Sequence, residues 1–196
     1  MKALLSAVLF AGSLVLCAGD AYPSGNPQKD KLRMQMDSYP NCAKMDFSQE
    51  DGRGVCSVKL LQFYNNPAKN MSRNAYFALF VYDKVQADKT LGFPVKPNTR
   101  YRISFDLRKK GQLKGIMFYS YGLKSSKSFW AGRVPLGKDA TKRIGFPNEN
   151  WKSCSYELAS GDQANAVLFV FSLNNTLDPA LGDQIFIRNI QFAEIP

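Results

Sequence analysis

The chain has 196 residues, 45% of them hydrophobic, with 26 basic and 16 acidic side chains, no histidine and a net charge of +10 at pH 7. That apolar content supports a full core and excludes a disordered or fibrous chain, and the absence of imidazole excludes Ser-His-Asp and Cys-His catalysis. The charge favours anionic partners; the plainer alternative is solubility, because the lysines (Lys109, Lys110, Lys114, Lys124, Lys127, Lys138, Lys142) are spread over turns.

Met1 and Lys2 lead into an apolar run, Ala3 to Leu16, that is short for a bilayer span and ends in small residues. Residues 1–21 read as a secretory signal peptide, so no transmembrane span is expected and the mature protein is exported: extracellular, periplasmic or associated with an outer membrane. Two processing routes are open. Cleavage after Ala21 leaves Tyr22 first and removes Lys2 and Asp20 together, keeping the charge at +10. The rival is lipidation of Cys17, although the large Leu16 stands where a lipoprotein box has a small residue. Residues 22–31, rich in Pro, Gly, Ser and charge, read as a flexible tether, and 32–196 as a single domain.

Three cysteines remain. Cys42 and Cys56 are the expected disulfide in an oxidising compartment, because they flank a polar turn, Ser48 to Gly54, that can fold back as a hairpin. Closing that loop of about 15 residues would contribute roughly 3 kcal/mol. Cys154, in phase with Lys152, Tyr156 and Leu158, reads as a buried free thiol. Without histidine the cysteine spacing argues against a zinc site.

Leu32 to Asp37 alternates and reads as the first strand, Val55 to Phe63 as another, and Asn65 to Asn74 as a loop. Ala75 to Asp83 is a nearly continuous apolar run, suited to the centre of a sandwich. The firmest signal is Val95 to Arg108, VKPNTRYRISFDLR. After a Pro-Asn turn, Tyr101, Ile103, Phe105 and Leu107 alternate with Arg102, Ser104, Asp106 and Arg108, the pattern of a half-buried antiparallel strand. Gly115 to Tyr121 follows across the short polar link Lys109 to Gln112, which reads as a hairpin. Leu123 to Asn150 has no firm period and is broken by Gly132, Pro135, Gly137, Gly145 and Pro147; long loops of this kind tend to carry function or disorder. Trp151 to Leu158, Ala166 to Leu173 and Gln184 to Phe192 are three further strands. About eight short strands with Gly, Pro and Asn turns and no helical period predict an all-β antiparallel sandwich, a jelly roll.

From Tyr76 to Phe192 the order of features resembles the jelly-roll carbohydrate-binding modules, families four and nine above all. The matching residues are Tyr101, Ser104, Phe105 and Arg108 on one strand, Trp151 opening a later one, and the closing apolar strand Ile185 to Ile190. The resemblance implies a galactose-binding-domain-like sandwich that binds a polysaccharide or glycan without catalysing anything. It departs from the pattern where Arg188-Asn189 replaces an acidic pair and where a Gly-x-Phe-Glu opening is absent. The first departure argues against a structural calcium ion, which wants several oxygen ligands together; no other cofactor is expected.

In the resembled modules sugar lies on aromatic rings flanked by polar side chains. The candidate ligand-binding residues are therefore Trp130, Tyr119 and Tyr121 as platforms, with Arg102, Asp106 and Arg108 as polar partners. The competing assignment makes the tyrosines core residues and joins Arg108 to Asp106 in a surface salt bridge; Trp151 is assigned to the core. Glycosidase chemistry needs two carboxylates facing across a cleft, for which only scattered loop acids are at hand (Asp139, Glu149, Asp162, Asp183). An adhesin or assembly protein using the same sandwich for protein contacts is the alternative, and the export signal disfavours nucleic acid.

Overall fold

A computed structural model describes residues 32–69, 71–83, 92–124 and 132–196. The expected signal peptide and tether, with Cys17 and Trp130, lie outside the described residues.

The strands are β1 (Leu32–Ser38), β2 (Ala43–Glu50), β3 (Arg53–Leu60), β4 (Tyr64–Asn66), β5 (Met71–Asn74), β6 (Tyr76–Asp83), β7 (Phe93–Pro94), β8 (Arg100–Lys110), β9 (Gly115–Leu123), β10 (Arg133–Val134), β11 (Lys142–Gly145), β12 (Lys152–Ala159), β13 (Ala166–Asn174) and β14 (Gln184–Glu194). One sheet runs β1-β6-β13-β9-β10, with β7 on β13 and β11 on β9; the other runs β12-β8-β14-β3-β2. The long strands β8, β9, β12, β13 and β14 alternate between the two sheets, the jelly-roll arrangement of an antiparallel β-sandwich.

Periodicity explains the layers. Tyr101, Ile103, Phe105 and Leu107 of β8 all face the core, and their neighbours face outward. β13 is buried almost throughout, which a continuous apolar run permits only at the middle of a sheet. Phe118 lies between the layers, 5.0 Å from Phe105 and 5.7 Å from Phe169 between ring centroids. Burying such a ring contributes roughly 2–3 kcal/mol.

Four expectations are corrected. The link at 109–112 is not a hairpin: β8 runs on to Lys110, β9 begins at Gly115 in the other sheet, and residues 111–114 step across the sandwich. That step is held by the buried Asp183, whose carboxylate accepts from Gln112 N–H at 2.7 Å. Residues 65–74 are not a plain loop, because β4 and β5 pair around a 3₁₀ turn. The long stretch before Trp151 contributes two edge strands, β10 and β11, both on β9.

The fourth correction concerns the disulfide. Asp51 (φ 52°) and Gly52 (φ 72°) make the two-residue turn of the β2–β3 hairpin, so the chain does fold back between the cysteines. Register separates them all the same. Cys56 sits opposite Phe47, whereas the Cys42 carbonyl accepts from Leu61 N–H, five residues further along. Five extended residues span roughly 16 Å, too far for a bridge whose Cα atoms stand about 4.4–6.8 Å apart. Both thiols, and that of Cys154, are free and buried. Burial pushes the Cys56 thiol up to about 12, so it stays protonated and inert at neutral pH. A reductant is therefore expected to leave the melting temperature unchanged; a clear drop under dithiothreitol would restore the bridge.

Candidate functional site

The outward faces of the two sheets differ in chemistry. On the seven-stranded sheet, Tyr119 and Tyr121 stack on each other at 5.8 Å and pack with Ala78, Leu168 and Val170, a cluster separate from the main core. The Arg133 guanidinium lies 4.5 Å over the Tyr121 ring. Arg102, Asp106 and Arg108 point outward from the five-stranded sheet, on the opposite side of the sandwich. Tyr119 and Tyr121 and their expected polar partners thus do not form one site. The reason is that β8 and β9 belong to different sheets, so outward on one is the far side from outward on the other.

The polar face is built in rows across β12, β8 and β14. Ser153, Asp106 and Arg188 form one row, and Ser155, Ser104 and Gln191 the next. Between Arg188 and Gln191 the register shifts by one residue, and Asn189 takes the left-handed conformation (φ 54°) that such a bulge requires. The bulge turns the Asn189 amide onto Asp106 at 2.5 Å, while Ile190 stays in the core. Asp106 also accepts from Ser153 Oγ at 2.7 Å and from Arg188 Nε at 3.4 Å.

Arg108 does not pair with Asp106. It donates two parallel hydrogen bonds to Glu50, at 2.8 and 2.9 Å, and lies over the rings of Trp151 (4.7 Å) and Phe186 (4.4 Å). Arg188 lies over the same indole at 4.0 Å. Trp151 is therefore half-buried on the outer face under two guanidiniums rather than in the core. Three N–H donors of this cluster, Arg108 Nε, Trp151 Nε1 and Arg188 Nη1, are buried and meet no acceptor.

Glu50 belongs to the tip of the β2–β3 hairpin, at the far edge of the sheet from β12. Its bond to Arg108 draws the tip over the face. Arg53, its neighbour across the turn, then walls a depression of about 550 Å³ whose floor is Ser104, Asp106, Ser153, Ser155, Asn189 and Gln191. A second depression of about 480 Å³ adjoins it through Ser155 and holds Arg102, Lys138, Asp139, Lys142 and Glu157. Among the described residues, no side-chain hydrogen bond occupies Ser104, Ser155 or Gln191. Glu157 receives Arg102 at 2.9 Å and Arg100 at 3.0 Å, which hold its carboxyl below the usual range.

Periodicity alone could have found part of this. Cys154 and Leu158 face inward, so Trp151, Ser153, Ser155 and Glu157, in the opposite phase, had to face outward with Arg102 and Asp106. Glu50 and Arg53 carry no such signal, because only the curl of the hairpin tip brings them in.

No family model matches the chain, and no curated protein sequence matches it. Solved structures similar to it include several carbohydrate-binding modules. The N-terminal cellulose-binding domain of a Cellulomonas fimi β-1,4-glucanase superposes over 91% of this chain and 96% of its own, at 8% identity and a TM-score of 0.48. A family 11 module from Clostridium thermocellum, solved with a mixed-linked tetrasaccharide, covers 84% of this chain and 91% of its own at 12% identity and 0.47. A family 22 xylan-binding domain from Paenibacillus barcinonensis covers 82% and 85% at 11% identity and 0.45. At these identities none transfers a ligand or a binding residue to this chain.

Proposed function

We propose that the chain is an exported, non-catalytic module that binds a glycan on the outer face of its five-stranded sheet. The carrying observation is the depression under the hairpin tip. Its floor offers two hydroxyls and an amide without internal partners, flanked by ionic groups held in place by one another. Such side chains both donate and accept, as sugar hydroxyls require. The carboxylates around it suit binding better than acid catalysis. Glu157 is kept ionised by two arginines, and a glycosidase acid needs its pKa raised instead. Asp183, one of the loop acids, is buried away from the face. The apolar run after Lys2 supports export.

In this reading Arg102, Asp106 and Arg108 shape the site, with Arg108 and Asp106 positioning Trp151, Arg188 and the floor. Tyr119 and Tyr121 belong to another face, and Trp130 stays a candidate platform. The net charge of +10 favours acidic over neutral glycans.

A glycan array with mature protein and a Ser155→Trp variant tests this. Ser155 is exposed, so the indole fills the depression without entering the core. Selective binding by the parent, lost about ten-fold or more in the variant at an unchanged melting temperature, is expected. No glycan bound at low or physiological salt, or equal binding by the variant, would move the search to a protein partner.

A further inference from the structure

Nearly every arginine on the polar face has a carboxylate: Arg100 and Arg102 share Glu157, Arg108 has Glu50 and Arg188 has Asp106. One row breaks that rule. At the end of the sheet Lys44 stands directly opposite Lys59, Lys59 opposite Gln184, and Gln184 opposite Lys110. Three exposed ammonium groups thus lie in register across four strands, with Asp46 at 3.0 Å from Lys44 as their one ion-pair partner among the described residues. Two acids near Lys110 are taken up by backbone donors: Glu149 accepts from Gly111 N–H and Asp183 from Gln112 N–H. Like charges facing each other across strands are unfavourable, and here one carboxylate offsets three ammonium groups. The adjacent row points the same way. There Arg108 Nε and Trp151 Nε1 are buried donors lacking acceptors, so donors exceed acceptors along this end of the face.

We infer that Lys44, Lys59 and Lys110 form a subsite for the anionic groups of an acidic glycan, carboxylates or sulfates, on the same outer face as the depression, Lys110 lying four residues along β8 from Asp106. This rests on the glycan reading and narrows it to acidic chains. Adjacent strands are about 4.8 Å apart, which places Lys44 next to Lys59 and Lys110 roughly 10 Å from Lys59. A flexible anionic chain can meet that spacing with successive charged units, and lysine, a point charge on a mobile stem, does not demand one orientation.

The test compares oligogalacturonate with its methyl ester, the same backbone without charge, on the parent, a K44Q/K59Q/K110Q variant and Ser155→Trp. All three lysines are exposed, and glutamine keeps most of their length, so the fold is expected to be retained. The triple variant is expected to lose about ten-fold in affinity for the acid and little for the ester, the difference vanishing in molar salt. Parent protein binding acid and ester equally, or a triple variant binding the acid as the parent does, would overturn the subsite. If Ser155→Trp abolished both ligands in that case, the glycan site itself would stand. If Ser155→Trp changed neither, the glycan reading would fall too. Lysine-dependent capture of phosphatidylglycerol vesicles without oligogalacturonate binding would replace the glycan by an anionic membrane and overturn the proposal.

Discussion

Replacing Asp106 by alanine is expected to cost about 3 kcal/mol of stability and to abolish glycan binding. The Arg188 side chain is only 10% exposed and Asp106 only 16%, so this ion pair is screened far less than a surface one. Its loss leaves a guanidinium largely out of water, and it also frees Ser153 and Asn189, which Asp106 holds at 2.7 and 2.5 Å. Breaking such a pair from one side costs more than the pair contributes, since the remaining charge stays desolvated. In a domain of this size the melting temperature should fall by roughly 6–12 °C. Asp106→Asn keeps the shape and one acceptor without the charge, and should fall between parent and alanine. Thermal unfolding followed by circular dichroism reads both. An alanine variant that melts with the parent would mean that water already screens this network.

The second large effect belongs to a carboxylate that has no part in the site. Asp183 is 3% exposed; its two oxygens accept from Gln112 N–H and Ala180 N–H, each at 2.7 Å. Its own carbonyl accepts from Leu60 N–H at 2.8 Å. One side chain thus ties the crossing between β8 and β9 to the turn before β14. Asp183→Ala leaves two backbone donors without partners at about 1–3 kcal/mol each, so a loss of about 3 kcal/mol is expected. Glycan affinity per folded molecule should not change, because the residue does not reach the outer face. The two aspartates are thereby distinguished: similar losses in a denaturant titration, with binding lost in one and kept in the other. Weakened binding by folded Asp183→Ala would place the turn in the site after all.

Glu50 and Arg53 show most clearly what sequence reading misses here. They sit next to an Asp-Gly turn, a strong hairpin signal, yet nothing in their spacing says that the tip of the β2–β3 hairpin reaches past β14 to meet Arg108 on β8. Trp151 is a different case. Its phase, one residue ahead of β12, marks it as outward, but a tryptophan is so large an apolar group that the core is the default place for it. Two guanidiniums reverse that default by covering the indole on the surface. The disulfide failed on register, since a hairpin brings its two strands together while letting cysteines at unequal distances from the turn miss each other.

What the chain determined by itself was local: where strands run, which residues of β8 face the core, which stretch is buried on both sides, and hence an all-β sandwich. Those follow from a side-chain period of two, which any strand obeys wherever it is placed. Which sheet each strand joins was decided only in three dimensions. That choice put Tyr119 and Tyr121 on one outer face and Arg102, Asp106 and Arg108 on the other. A four-residue link can close a hairpin or cross between layers, and what selects the crossing here is packing together with the reach of Asp183, more than seventy positions away from Gln112 along the chain.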